Sequence, residues 1–432
     1  MTLRRKHLAL LLCVSAFALQ VAAIACNPQR YEWDMRAYYY APRALALGLN
    51  PYDLPSLRAV SMPEHAADLQ PFIYPPQTLL LFWPLSHLGY GGAFYGYLVF
   101  QCLSLAALVW AGVRWLPAPA RVWYLLLAPL AFDGALAAGL RTGNVALFEA
   151  ALLALAAVAL AERRWWIFGG LVSVAATFKL VPVVFFLFLL PLKVPRKWAV
   201  MAGGAALALL PVVAAFLLVP DLFASFLAHS PAIGNHRAPI DRSLASALRD
   251  VLPMTASARS HHALQLAYLA LAFGGAAATA LTARGLVARG AAEHHIVRLL
   301  MLAYIAFSPR LLGYTFALAI APAVSITVDG PRWRRWSLVA GIALPAAYIS
   351  RFLFHHPDER PAMSLLGLVW DYWGELAVLA AWAAATFDAL TGRPSHADPG
   401  SNTEGWSATS LVRPDSGKEG RRGSTPQARW RG

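Results

Sequence analysis

Residues 144–198 read NVALFEAALLALAAVALAERRWWIFGGLVSVAATFKLVPVVFFLFLLPLKVPRKW. Arg163-Arg164 separates two apolar runs, and Lys193, Arg196 and Lys197 close the second. Basic flanks stay on the cytoplasmic side of a membrane. The second run, 165–192, has them at both ends, so it must enter and return. That predicts two half-length helices broken near Lys179 and Pro182. A broken helix at membrane depth is tolerated where it lines a protein cavity. The stretch therefore reads as membrane-embedded helix built around a polar interior.

The rest of the chain follows the same grammar. Apolar residues make up 59% and charged residues 13%, against roughly a quarter charged in soluble domains. A soluble globular protein is excluded. The alternation of a transmembrane β-barrel is absent. The net charge of +14 comes in short bursts between apolar runs, at Arg4-Arg5-Lys6, Arg163-Arg164, Lys193 to Lys197 and Arg332 to Arg335. That is the pattern of cytoplasmic loops, not of a nucleic-acid surface, and no nucleic-acid partner is expected. Cys13, Cys26 and Cys102 are too few for a disulfide framework.

Charge parity then orders the chain. Residues 7–26 form a first span running inside to outside, although Met1–Cys26 also has the shape of a cleavable signal. A first outer loop covers 27–72. The stretch 73–116 reads as one crossing preceded by a half-inserted piece from Tyr74 to Leu88. Spans follow at 122–140, 144–161 and 197–220, then a second outer loop at 221–262. Spans near 263–283, 295–308, 311–328, 335–352 and 364–388 complete the set. The expectation is an all-α polytopic membrane protein with about 12 transmembrane or half-membrane helices in residues 1–390, placed by the positive-inside rule. Residues 391–432 read as a disordered cytoplasmic tail. Both termini fall in the cytoplasm and the protein in the plasma (inner) membrane.

This topology gathers Asp34, Arg141, Asn144, Lys179, Arg237, Asp241, Arg242, Arg310, His355, His356 and Asp358 on the outer side, the mark of a site opening there. The densest group is Tyr31-Glu32-Trp33-Asp34-Met35-Arg36-Ala37-Tyr38-Tyr39-Tyr40. On a helix Tyr31, Asp34 and Tyr38 share a face. A carboxylate beside aromatic rings suits sugar work: it takes a hydroxyl proton while the rings pack on a pyranose. An interfacial aromatic belt, with Asp34 pairing with Arg30, fits the same residues.

The same loop continues as Gly48-Leu49-Asn50-Pro51-Tyr52, and Tyr74-Pro75-Pro76 follows. Further on come Gly143-Asn144, Phe178-Lys179-Leu180-Val181-Pro182, the basic patch Pro195-Arg196-Lys197-Trp198 and Ser308-Pro309. In order and spacing, over most of 7–388, these motifs resemble glycosyltransferase family 87, the polyprenol-phosphate-mannose-dependent mannosyltransferases and their relatives. Gly143-Asn144 lacks the Gln of that family's Gly-Gln-x-Asn element, and Arg310-Leu311-Leu312-Gly313-Tyr314 stands where some members have a His. The resemblance implies the membrane GT-C fold and makes Asp34 the match for the catalytic carboxylate. A phosphate leaving group needs no strong acid, so one base suffices, unlike the two carboxylates of glycosidases.

On that basis Lys179, Arg310 and Arg242 are candidates for the donor phosphate, and Tyr38, Tyr74 and Asn144 for the sugar or acceptor. Each has a plainer reading. Lys179 can snorkel to the interface, Arg310 can pair with lipid headgroups, and Arg242 and Arg237 can be solvated surface charge. Asn144 can cap the following helix, and Asp241 can cap the helix after Ser243. Asp133, Glu149, Asp371 and Glu375 fall in apolar spans and need partners or a wet cavity. No cofactor or metal is called for; the one metal-like string is His355-His356-Pro357-Asp358-Glu359.

The function this implies is an inverting glycosyltransferase. It passes a hexose, mannose by the resemblance, from a polyprenyl-phosphate donor to a lipid or glycan acceptor at the outer face. Membrane lipids, the donor and the acceptor are its expected partners. A lipid or solute transporter working through the break at Lys179 remains the alternative, as does a non-catalytic scaffold of envelope assembly.

Overall fold

Helices begin and end where charge, proline or glycine interrupts the apolar runs. The structure, a computed structural model, describes residues 3–27, 33–62, 69–233, 241–251, 257–329, 331–346 and 365–391. All of these lie in the first of two contact units, Met1–Pro394; the second is Ser395–Gly432. Arg30, Tyr31, Glu32, Arg237, His355, His356, Asp358 and the tail fall outside the described residues.

Among the described residues there are helices and no strand. In chain order they are α1 (Leu3–Cys26), α2 (Trp33–Ala46), α3 (Leu54–Ser61), α4 (Gln77–Ser86), α5 (Tyr90–Trp115), α6 (Ala118–Leu127), α7 (Ala131–Thr142), α8 (Ala146–Ala161) and α9 (Trp165–Phe178). A 3-10 segment, Val181–Leu189, leads to α10 (Lys197–Leu218), α11 (Pro220–Ile233), α12 (Leu244–Asp250), α13 (Ala258–Ala288) and α14 (Glu293–Ala306). A second 3-10 segment, Gly313–Ala319, precedes α15 (Ile320–Asp329), α16 (Arg332–Ala343), α17 (Leu365–Asp371) and α18 (Trp373–Thr391).

Among the described residues, α1, α5, α10 and α13 are long and apolar enough to cross a membrane, and the bent pair α6–α7 makes a fifth candidate. The most apolar windows of α10 and α13 are only 22% and 28% buried within the protein. Leu218 and Phe273, 79% and 73% exposed, project from them. Apolar faces of that extent exceed what a soluble monomer shows to water, and acyl chains accept them without cost. The chain is a membrane protein.

Helix α8 is the opposite case. Nearly all of it is buried, against α5, α9, α14 and the segment Gly313–Ala319. Its alanines allow neighbouring helices to approach closely, the usual device of membrane bundles. Glycines do the same where rings press on backbone: Gly112 of α5 receives Tyr124, and Gly204 of α10 receives Phe186.

The stretch 73–116 divides into the short α4 and the long α5. The stretch 165–192 divides into α9, an extended Lys179 (φ −143°, ψ 135°) and the 3-10 segment containing Pro182. Other spans depart from expectation. The run 122–140 is not one helix: α6 and α7 meet at 63°. Pro129 lies at the break, and Phe132, Asp133 and Gly134 take left-handed φ values of 51°, 59° and 72°. Such a conformation costs a non-glycine residue about 1–2 kcal/mol, so tertiary contacts must hold it. The run 311–328 splits into a 3-10 segment and α15. Helix α13 starts at Ala258, within the expected second outer loop, and of 335–352 only the part up to 346 is described.

Candidate active site

Asp34 stands in the first turn of α2, and the rest of that helix anchors it. Tyr38, Tyr39 and Tyr40 are at most 1% exposed, which no interfacial aromatic belt would be. The helix docks on the α4–α5 junction. Tyr39 Oη donates to the Leu88 carbonyl (3.0 Å), Arg43 Nε to the Ser86 carbonyl (3.2 Å) and Arg36 Nε to Tyr90 Oη (3.3 Å). Tyr38 stacks on Phe82 of α4 with ring centroids 4.4 Å apart. Downstream, Asn50 Oδ1 accepts the Tyr52 N–H (3.0 Å), and Tyr52 Oη donates to the Tyr74 carbonyl (2.9 Å). The Asn50-Pro51-Tyr52 turn thus fixes Tyr74-Pro75-Pro76.

A continuous polar chain runs from there to Asp34. The Tyr38 and Tyr74 hydroxyls share a hydrogen bond of 2.9 Å. Tyr74 Oη donates to Asn144 Oδ1 (3.3 Å), and Asn144 Nδ2 donates to Asp34 Oδ2 (2.8 Å). Asn144 follows Gly143, whose left-handed φ of 66° ends α7. Its Oδ1 also accepts the Ala146 N–H (2.8 Å), so the same amide caps α8 and grips the carboxylate. The side chain of Asn144 thus ties Asp34 to the start of α8. Tyr38, Tyr74 and Asn144 are 1%, 3% and 3% exposed. They pack beside Asp34, almost fully buried.

Asp34 itself is half-buried. Burial pushes its carboxyl up to about 6, while the Asn144 hydrogen bond and the Lys179 charge pull it down. Lys179 occupies the break after α9, its Nζ 3.2 Å from Glu149 Oε2 and 5.9 Å and 6.0 Å from the ring centres of Tyr74 and Tyr314. Its electrostatic neighbours include Arg310. Arg310 Nε is buried without a hydrogen-bond partner among the described residues. Lys179 thus lies between two carboxylates in electrostatic reach, its ion-pair partner Glu149 and Asp34, with Arg310 as a second cation nearby.

Arg242 is not part of that centre. Its Nη1 donates to Asp133 Oδ2 at 2.6 Å, with both side chains about a tenth exposed. The ion pair neutralises the guanidinium and holds the left-handed turn at Phe132–Gly134. The backbone around it is laced to the Ser-Pro turn. Arg242 N–H donates to the Leu311 carbonyl (2.7 Å), Leu311 N–H to Asp241 Oδ1 (3.1 Å) and Ser243 Oγ to the Pro309 carbonyl (3.1 Å). Asp241 is thereby a staple to residue 311. The cap of α12 is Ser243, which accepts the Ser246 N–H (3.2 Å).

The partnership of Glu149 with Lys179 was visible beforehand only as two lone charges in apolar runs. Gln101, which donates to the Asn144 carbonyl (3.0 Å) and to Tyr97 Oη (3.0 Å), carried no signal. Among the described residues no group of three or more His, Cys, Asp or Glu side chains could hold a metal ion.

The family model of glycosyltransferase family 87 matches residues 72–309, more than half of the chain. The chain belongs to glycosyltransferase family 87. No curated protein and no solved structure matches it. The matched range of this family 87 chain takes in Tyr74, Asn144, Glu149 and Lys179, and ends one residue before Arg310. Asp34 lies ahead of it and joins the site through Asn144.

Proposed function

We propose that this family 87 glycosyltransferase transfers a hexose, mannose by the family resemblance, from a polyprenyl-phosphate donor to the hydroxyl of a lipid or glycan acceptor, with inversion. The reading places the reaction at the outer face of the plasma membrane. The observation that carries it is Asp34, held by Asn144 through one oxygen, with Lys179 among its electrostatic neighbours and Arg310 among those of Lys179. Asp34 accepts the acceptor's hydroxyl proton as that oxygen bonds to the anomeric carbon. The bond from that carbon to the phosphate oxygen breaks with its electron pair, and polyprenyl phosphate departs with one more negative charge. Lys179 and Arg310 stabilise that charge. Fixed charges aimed at developing charge contribute most to such steps, and a base with a pKa near the working pH serves best.

The test is transfer of label in liposomes holding the purified protein, total lipid extract of the source cell and polyprenyl-phosphate sugars of several hexoses. Label in a lipid or glycan product, with inverted anomeric configuration, is the expected result. Retained configuration overturns the single-displacement reading. No transfer from any donor overturns the enzyme reading and favours a transporter or scaffold.

A further inference from the structure

Helix α8 brings two functions to the site on one short stretch. Asn144, just before it, grips Asp34, and Glu149, in its first turn, grips Lys179. Glu149 is 8% exposed, in a helix that is buried along nearly its whole length. It neutralises one of the two cations that the proposed reaction needs for a phosphate. Burying a carboxylate there carries a desolvation cost that the pairing with Lys179 offsets.

We infer that Glu149 is a positioning residue, the resident counter-ion of Lys179, that competes with the prenyl phosphate for this cation and so speeds release of the spent carrier. The inference rests on the proposed function above. Charge accounting supports it. The empty centre of Asp34, Glu149, Lys179 and Arg310 is neutral. The donor phosphodiester adds one negative charge. After transfer Asp34 holds the acceptor's proton, and the phosphate monoester holds the charge that Asp34 lost. Binding of the donor and of the spent carrier both draw on Lys179, and Glu149 stands 3.2 Å away to reclaim it. Repulsion between Glu149 and the phosphate is stronger for the monoester dianion than for the donor, because its charge is larger. Lys179 and Arg310 attract the dianion more strongly as well, and the charge of Glu149 opposes that gain, weakening the hold on the spent carrier more than the hold on the donor.

The test measures binding of farnesyl phosphate to the purified full-length protein in nanodiscs, alongside transfer in liposomes. Glu149→Gln keeps the shape and removes the charge. The expected result is farnesyl phosphate bound about tenfold tighter, the factor that roughly 1.4 kcal/mol produces. A lower donor KM and a lower kcat should accompany it. Weaker or unchanged binding overturns the inference, since a residue that merely orients Lys179 would weaken binding when altered. If Glu149→Gln does not accumulate, Glu149→Asp carries the test: its retracted carboxylate should tighten binding by a smaller factor, and equal or weaker binding overturns the inference. The two readings fail separately. Wild type that transfers sugar without binding farnesyl phosphate overturns the inference alone, and wild type that does neither overturns both.

Discussion

Two carboxylates in this molecule face each other's opposite in chemistry. Asp34 meets a neutral amide, Asn144, at 2.8 Å; Asp133 meets a guanidinium, Arg242, at 2.6 Å. Each partner is more than a hundred residues away in the chain. The amide orients Asp34 and leaves its charge to act on a third party. The guanidinium cancels the charge of Asp133 and turns the pair into a fastener for the bend between α6 and α7. What separates the two carboxylates is the charge of the partner, not depth.

The comparison breaks most visibly at Asp34. Asp34→Asn preserves shape and the contact with Asn144, and initial transfer rates should fall by about 10²–10⁴, the usual worth of general-base help. Farnesyl phosphate binding should stay close to wild type. The cation side comes next. Lys179→Met should lower kcat by about 10²–10³, the range seen when one charge-stabilising group is lost. Lys179→Arg should restore only part, because a planar fork does not replace a compact ammonium. Asp133→Asn sharpens the contrast from the other direction. It removes the charge that Asp133 sets against Arg242 beside a strained turn and should cost about 3 kcal/mol of stability, read as a lower melting temperature in detergent. Transfer by the protein that remains folded should change little. A large loss of transfer without loss of stability would move Asp133 into the reaction centre.

Legibility in the sequence followed the range of the interactions. Hydropathy and charge parity located most helices, and the break at Lys179 was readable because basic clusters bracket a run too long for one helix and too short for two. The bend at Phe132–Gly134 was not readable. Pro129 marks the place, but the left-handed turn is held by Arg242, 109 residues on. The partner of Arg242 is unreadable for the same reason: Asp133 lies 109 residues away in the chain. Asp34, Tyr74 and Asn144 were recognisable as motif positions, but not as one hydrogen-bonded chain. The stacking of the Tyr38 ring on Phe82 and its hydrogen bond with Tyr74 depend on contacts between separate helices, which the local sequence does not encode.

The most direct test of Asp34 as a base tuned by its neighbours is the pH dependence of kcat/KM. A base must be ionised to work, so activity is present above its pKa and lost as pH falls through it. Wild type should lose activity tenfold per pH unit below about 6 and level off above. The Asn144 hydrogen bond lowers the Asp34 pKa, so in Asn144→Ala the acid limb should move to higher pH. A limb that shifts in this direction places the controlling proton on Asp34. A profile without an acid limb, or one that Asn144→Ala leaves in place, contradicts the account.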